Sequence, residues 1–516
     1  MVVKSISRFV VVFIVLICAL LIQQNNTLSN GFASNTTPIK HLIIIFQENI
    51  SFDHYFATYP NALNQNNSEP VFQPKQDTPT VNGLSSGLLT FNPNMVNPFR
   101  IPRSNASTCG NDHVYTRLQE AYNGGLMDKF VETNSVSKGC SPSITMGYFD
   151  GNTVTALWNY AQHYSMSDNF FASTFGPSAP GHINLISGQT HGVTPHYLNG
   201  TFGSKIVWFV SNGTLISDAN PKYETCSNPA TASFPKASFN GTNIGNLLSD
   251  GNITWGWFQG GCKPTSRTAD GIPICASSHG EYKGKSITDY LPHHEPFQYY
   301  ESTANPNHLP PTSNNMIGHS DQANHQYDIS DFWTPANSGN LPSVSFIKAP
   351  AYQDGHSGYS NPLEEQKFLV DTINKIQNLP EWNSTAVIIT YDDSDGWYDH
   401  VMPPIMMQSD DPATDALLGQ GTGSGLCGKP SPEQYKDRCG YGPRLPFLVV
   451  SPYAKSNFVD HQVIDHTSIL RFIEENWNLK QIGDQSFDQW AGSINSMFNF
   501  TAPQYRNLIL DPSTGK

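Results

Sequence analysis

A layered α/β fold with a central, mostly parallel sheet is predicted for this chain of 516 residues by three observations. Five short runs, HLIIIF (41–46), ITWGWF (253–258), PSVSFIKA (342–349), STAVIITY (384–391) and RLPFLVVSPY (444–453), lack clean polar–apolar alternation, as strands covered on both faces do. Helical patterns lie between and around them, at TRLQEAYNGGLMDKFV (116–131), TALWNYAQHYS (155–165), EEQKFLVDTINKIQNL (364–379) and HTSILRFIEENWNL (466–479). The stretches 61–107, 199–245 and 405–442 are rich in Asn, Pro, Gly and Ser. They read as long insertions in one large domain spanning 38–500, not as linkers between domains.

At the N-terminus, Lys4 and Arg8 precede the apolar run FVVVFIVLICALLI (9–22), which is followed by NGFAS at 30–34. That run is short for a spanning helix and right for a signal-peptide core. Residues 1–33 are therefore expected to be a signal peptide cleaved near Ala33, with an uncleaved N-terminal anchor as the variant. Either way the body is exported, whether secreted, periplasmic or at the cell surface. Cysteine usage agrees with export: Cys109 with Cys140, Cys262 with Cys275 and Cys427 with Cys439 can each close a local loop, leaving Cys226 over. The sequons at Asn105, Asn199, Asn212, Asn240, Asn252 and Asn383 suit an exported surface.

Net charge is −14 with a pI of about 5.6, so there is no basic footprint for nucleic acid. Acidic excess fits a chain that collects carboxylates for a cation. Two strand ends do collect them. HLIIIF runs into QENISFDHY, placing Glu48, Asn49, Asp53 and His54 just past a buried strand, and STAVIITY runs into Asp392, Asp393, Asp395, Asp399 and His400. Ligands of open α/β sheets sit in the crevice outside the carboxyl ends of strands, and adjacent acids are tolerated best around a cation. A helix–loop–helix calcium loop fails on spacing. With Asp393 and Asp395 at positions three and five, Tyr391 and Met402 stand where acids are required. What remains is a site assembled from both strand ends, with Glu48, Asn49, Asp392 and Asp393 as hard oxygen ligands.

The third segment is FFASTFGPSAPGHINLISG (170–188), where Gly176-Pro177 forces a turn, Ser178 can cap and Pro180 suits a first helical turn. A hydroxyl at a helix N-terminus beside a cation is a candidate nucleophile. No G-x-S-x-G elbow is present, which disfavours a lipase-type triad. His113 in CGNDHVY and His356 in QDGHSGYSNP are candidates for contacting a phosphoryl oxygen or protonating a leaving group.

QENISFDHYF, NDHVY, GGLMDKFV, FGPSAPGH, HSGYSNP, YDDSDGWYDHVMPP, GPRLPFLVVSPYAK and DHTSILRFIEENW follow one another in this order between 40 and about 480. Together they resemble the bacterial phosphoesterase family of acid phosphatases and phospholipases C. That resemblance implies an alkaline-phosphatase-like sandwich and hydrolysis of phosphoric esters through a phosphoenzyme. It also implies one divalent ion (calcium, magnesium, manganese or zinc) on Glu48, Asn49, Asp392, Asp393 and Ser178, with Ser178 as nucleophile and His113 and His356 on the phosphoryl oxygens. The family commonly carries Pro-Asn after the nucleophile, where this chain has Ala179-Pro180-Gly181-His182. The YDDSDGWYDH segment resembles the acid phosphatase branch, and Trp397 and Tyr398 make no separate aromatic cage for a choline headgroup. A small phosphomonoester is thus the expected substrate, with phospholipase C acting on phospholipids near a membrane as the alternative. A non-catalytic cation-binding surface protein is the reading from another class.

Overall fold

The computed structural model describes residues 35–65, 68–196, 209–226, 235–282, 285–419, 425–430 and 437–516. The expected signal peptide and the sequon at Asn199 lie outside them; Asn105, Asn212, Asn240, Asn252 and Asn383 are exposed. The principal strands are β1 (His41–Gln47), β2 (Ser165–Phe171), β3 (Trp255–Gln259), β4 (Gln326–Asp328), β5 (Val344–Lys348), β6 (Thr385–Tyr391), β7 (Arg444–Val450), β8 (Phe458–Asp460) and β9 (Ile464–Asp465). They form one sheet of nine strands in the order β4-β3-β5-β1-β6-β7-β2-β8, with β9 also paired to β2. Only β7 runs against the others, pairing antiparallel with both β6 and β2. All five strands expected from apolar runs are present. β2 was not expected, because its sequence SMSDNFF is polar at four of seven positions. The structure employs that polarity: Ser165 donates to the carbonyls of Lys455 and Met497, and Asp168 accepts from the Asn82 amide.

The helices that matter here are α1 (Phe52–Phe56), α2 (Tyr115–Tyr122), α3 (Thr155–His163), α4 (Ser178–Ser187), α5 (Pro362–Gln377) and α6 (His466–Asn476). Strand side chains alternate between faces, so β1 and β6 show where the layers lie. Phe46 meets the rings of His182 on α4 and His466 on α6. Tyr391, in register with the next residue Gln47, points the other way and donates to Glu365 on α5 at 2.6 Å. Helices thus cover both faces of a sheet whose central strands are buried throughout, save for His41 at the start of β1. The helix expected over 116–131 is broken: α2 ends at Tyr122, and Asn123, Gly124 and Gly125 all adopt positive φ before a short helix at Phe130–Thr133. The Asn-Gly-Gly run favours that left-handed exit over another helical turn.

Disulfides join Cys109 to Cys140, Cys427 to Cys439 and Cys226 to Cys275. The last corrects the expected pairing of Cys262 with Cys275, and Cys262 is the free, buried thiol in place of Cys226. Proximity in sequence favoured the shorter loop; the tertiary path of the insertion brings Cys226 to Cys275. Among the described residues no helix is long and apolar enough to cross a membrane.

Arg444, at the start of β7, is fully buried. Its guanidinium donates to Asp53 on α1 at 3.1 Å and to Asp399 at 3.1 Å, and stacks 4.2 Å over the Phe52 ring. It thereby clamps the residues following β1 to those following β6. Removing one partner of a buried ionic group leaves the others uncompensated, so Arg444→Met is expected to lower unfolding free energy by about 3–5 kcal/mol. Denaturant titration monitored by tryptophan fluorescence measures this; a change within about 0.5 kcal/mol would contradict the clamp.

Candidate active site

The sheet register builds the site. Because β1 and β6 are parallel neighbours with Gln47 opposite Tyr391, the next residues, Glu48-Asn49 and Asp392-Asp393, emerge side by side at the carboxyl ends. Asn49 takes a left-handed φ of 62°. Its amide donates to Asp392 Oδ1 at 3.1 Å, and the Asp393 amide donates to the same oxygen at 2.8 Å. Asp392 therefore ties the two strand ends together through one carboxylate oxygen. On the other side of β1, Ile45 pairs with Ile347, which sets Lys348 level with Phe46 and on the same face. Lys348 Nζ lies 2.6 Å from Glu48 Oε1.

The start of α4 closes over these strand ends. Pro177 is the N-cap and Ser178 is the first helical residue, so the expected capping role of Ser178 is not what the structure has. Its Oγ points instead into the carboxylates: 3.1 Å to Glu48 Oε2, 3.2 Å to Asp393 Oδ2 and 3.4 Å to Asn49 Oδ1. The free amide of Ala179 donates to Asp218 at 3.0 Å. Gly181 makes the approach possible, since a Cβ there would stand 2.5 Å from the Asp392 carbonyl oxygen. Gly181→Ala must push α4 off the end of β6, and it is expected to cost about 1–3 kcal/mol of stability together with most of the activity. Retention of wild-type melting temperature and turnover would show that the helix has room to move.

His182, one turn along α4 from Ser178, also faces the carboxylates. One of its ring nitrogens meets the Ser178 carbonyl at 2.9 Å and the other faces Glu48 Oε1 at 3.6 Å. Stacked on it is His294, whose Nδ1 is 3.2 Å from Glu48 Oε1. Burial, followed by neighbouring cationic groups, holds both imidazoles well below their ordinary range, so they stand here as neutral rings.

The two sequence-expected histidines come from separate loops and meet with ring centroids 5.8 Å apart. His113 Nδ1 lies 3.0 Å from Asp395 Oδ1, and the Asp395 amide in turn donates to Asp393 Oδ1 at 2.7 Å. Burial works against a charge on His113, but Asp393 and Asp395 outweigh it and raise the imidazole well above its ordinary value. Burial and the proximity of His113 push His356 down to about 3. One ring is thus poised cationic and the other neutral.

The donor set suits a hard divalent cation. A serine hydroxyl carries one proton, yet three oxygen acceptors converge on Ser178 Oγ. Asp392 Oδ2 and Asn49 Nδ2 are buried with no hydrogen-bond partner among the described residues. Burial and then Asp392 raise both Glu48 and Asp393 well above the usual carboxylate range. Lys348 offsets one of these charges only. Oxygen donors crowded this way are the coordination chemistry of calcium, magnesium or manganese, and a cation reverses the repulsion. Every residue expected at the site is brought together. Sequence reasoning missed Lys348, His182, His294 and the Asp395 contact. For Lys348 a signal existed: a lysine inside a buried apolar strand needs an anionic partner.

A model of the phosphoesterase family matches residues 39–480. Non-hemolytic phospholipase C of Pseudomonas aeruginosa is 25% identical over 502 residues, covering 93% of this chain and 60% of that protein. The chain thus spans less than two thirds of that relative. Phospholipase C A of Mycobacterium tuberculosis is 23% identical, covering 90% of this chain and 78% of its own length. Non-specific phospholipase C3 of Arabidopsis thaliana is 22% identical, covering 92% and 76%. Among solved structures, a protein in the alkaline phosphatase superfamily from Vibrio parahaemolyticus matches with a TM-score of 0.31 and 10% identity over 90% of this chain and 74% of that chain.

Proposed function

Since this chain belongs to the phosphoesterase family, we propose that it hydrolyses phosphoric ester bonds through Ser178 as nucleophile and takes phospholipids as its substrate class. The observation that carries the nucleophile is the convergence of Glu48, Asn49 and Asp393 on Ser178 Oγ at a helix N-terminus. The phospholipid class rests on the activity for which the relatives are named.

Glu48, Asn49, Asp392, Asp393 and Ser178 would hold one divalent ion. When bound, such an ion lowers the pKa of a ligating hydroxyl and neutralises charge on the phosphate. The residues do the rest. Ser178 gives up its proton to the carboxylate side of the site, and its oxygen attacks phosphorus while the bond to the departing alcohol breaks. His113, held cationic by Asp395, passes a proton to the leaving oxygen, while the neutral His356 beside it helps to cradle the phosphoryl oxygens. Water then releases the phosphate ester from Ser178. The positive end of the α4 macrodipole favours the anion throughout. Export follows from the same reading, supported by three disulfides on the described surface and interior.

The acid phosphatase reading stays as a second one, for a specific reason. Trp397 is fully buried and stacks on His54 at 3.7 Å, and Tyr398 is buried as well. Neither is free to cage a quaternary ammonium, so recognition centres on the phosphoryl group and tolerates varied leaving groups. Hydrolysis of phosphatidylcholine and of an aryl phosphomonoester by the same sample, from about pH 4.5 to 8, decides between them. A lipid kcat/KM above that for the monoester supports phospholipase C; the reverse order makes the protein a phosphomonoesterase.

A further inference from the structure

His356 stands in the tight turn QDGHSGYSNP (353–362), and its ring is held from three directions. Tyr359 stacks on it, with ring centroids 4.4 Å apart and planes 29° apart. His113 meets it in a T-shaped arrangement, 5.8 Å away at 71°. Its Nδ1 meets the Ser357 carbonyl at 2.5 Å, which leaves Nε2 to face substrate. The Tyr359 ring is anchored in turn. Its hydroxyl donates to Asp354 Oδ2 at 3.1 Å, while Asp354 Oδ1 accepts from the His356 amide at 3.0 Å. Asp354 is fully buried, lies 3.9 Å from Lys348 Nζ, and through its carbonyl accepts from the Glu48 amide at 2.9 Å. One residue therefore joins the turn to the strand ends that carry the site. Gly358 adopts a φ of 94°, and its amide donates to the Thr108 carbonyl at 3.0 Å, which ties the same turn to the segment leading into His113.

We propose that Tyr359, anchored by Asp354, is a positioning residue for the reaction at Ser178: its ring sets the tilt of His356 and so the direction in which Nε2 points. The inference rests on the reading in which His356 contacts the phosphoryl oxygens. An uncharged imidazole has little electrostatic pull toward an anion, so its aim must be built in beforehand by packing. The backbone explains why position 359 serves. The Ser360 amide donates to the His356 carbonyl at 2.8 Å, a single-turn closure that folds the side chain three residues on back over the histidine. Stacking of two rings is weak and lets them slide in their common plane. The hydroxyl bond to a buried carboxylate removes that freedom. Asp354 serves Lys348 and Glu48 as well, so substitution at Tyr359 isolates the effect on His356.

The test is a double-mutant cycle on the full-length, metal-loaded enzyme, with kcat and KM read on an aryl phosphomonoester and on phosphatidylcholine. Tyr359→Leu is expected to lower kcat about tenfold on the faster substrate while KM changes less than about twofold. In the His356→Ala background the same substitution should change the rate less than about twofold, because the ring it positions is gone. Tyr359→Phe keeps the stacked ring, loses only the hydroxyl anchor, and should retain about a third of the wild-type rate or more. If Tyr359→Leu does not fold, the phenylalanine variant carries the cycle: a loss that vanishes in His356→Ala supports positioning. Equal losses in both backgrounds make Tyr359 a support of the fold alone and overturn the inference, as does wild-type turnover in the tyrosine variants. Those results leave the phosphoesterase reading standing. Wild-type protein that hydrolyses neither ester, or His356→Ala that turns over as fast as wild type, overturns the reading of the site and the inference with it.

Discussion

Replacing Ser178 by alanine is expected to lower turnover by about 10³-fold or more while leaving the fold and the bound cation in place. Ser178 Oγ is the atom on which Glu48, Asn49 and Asp393 converge, and no side-chain cap occupies it at the start of α4. Its removal takes away the covalent acceptor but none of the carboxylates, so cation affinity falls far less than rate. Ser178→Thr keeps a hydroxyl and should restore part of the activity, against the crowding of a methyl group in a fully packed site. Steady-state kinetics beside metal analysis read both quantities. Parallel loss of cation and rate in the alanine variant would make Ser178 chiefly a ligand, and unchanged turnover would remove it from the chemistry.

The second large effect is that Asp392→Asn combined with Asp393→Asn abolishes cation binding and turnover together, yet leaves a folded protein. Asp392 Oδ1 accepts from two backbone amides, a role an asparagine oxygen can keep, so the strand ends stay joined. What is lost is charge. In metal-free buffer, Glu48, Asp392 and Asp393 repel one another in a buried setting, and burial with Asp392 raises Asp393 well above its usual range. Neutralising two of them relieves that repulsion. The double variant should therefore melt about 1–2 °C or more above the metal-free wild type, and gain nothing from added calcium, magnesium or manganese, which stabilise the wild type by mass action. A variant that melts lower in chelator and still responds to divalent ions would place the cation elsewhere.

Much of this site was legible because its chemistry is written at the ends of the most legible strands. HLIIIF and STAVIITY announce themselves as buried strands, and acids directly behind two such runs have few structural uses. Parallel pairing of Gln47 with Tyr391 then turns Asn49 and Asp392, 343 residues apart, into neighbours. His182 and His294 were not assigned, because nothing local marks them: each acts on Glu48 only through the tertiary fold. β2 escaped notice for the opposite reason, since its buried polar residues are satisfied by partners distant in sequence, such as Lys455 and Met497. The cysteine pairing failed on the same ground. Separation of 13 between Cys262 and Cys275 looked favourable, whereas the chain path closes the loop of 49.

Whether phosphate becomes attached to Ser178 is tested most directly by trapping. The metal-loaded enzyme is mixed with excess substrate, quenched in acid within its first turnovers, digested and mapped for phosphorylated peptides. Phosphate, or the headgroup phosphate ester, on Ser178 within the peptide that contains FGPSAPGH is the predicted result. Phosphate on Ser173 or Thr174, or full turnover with no covalent adduct at any time, would contradict it.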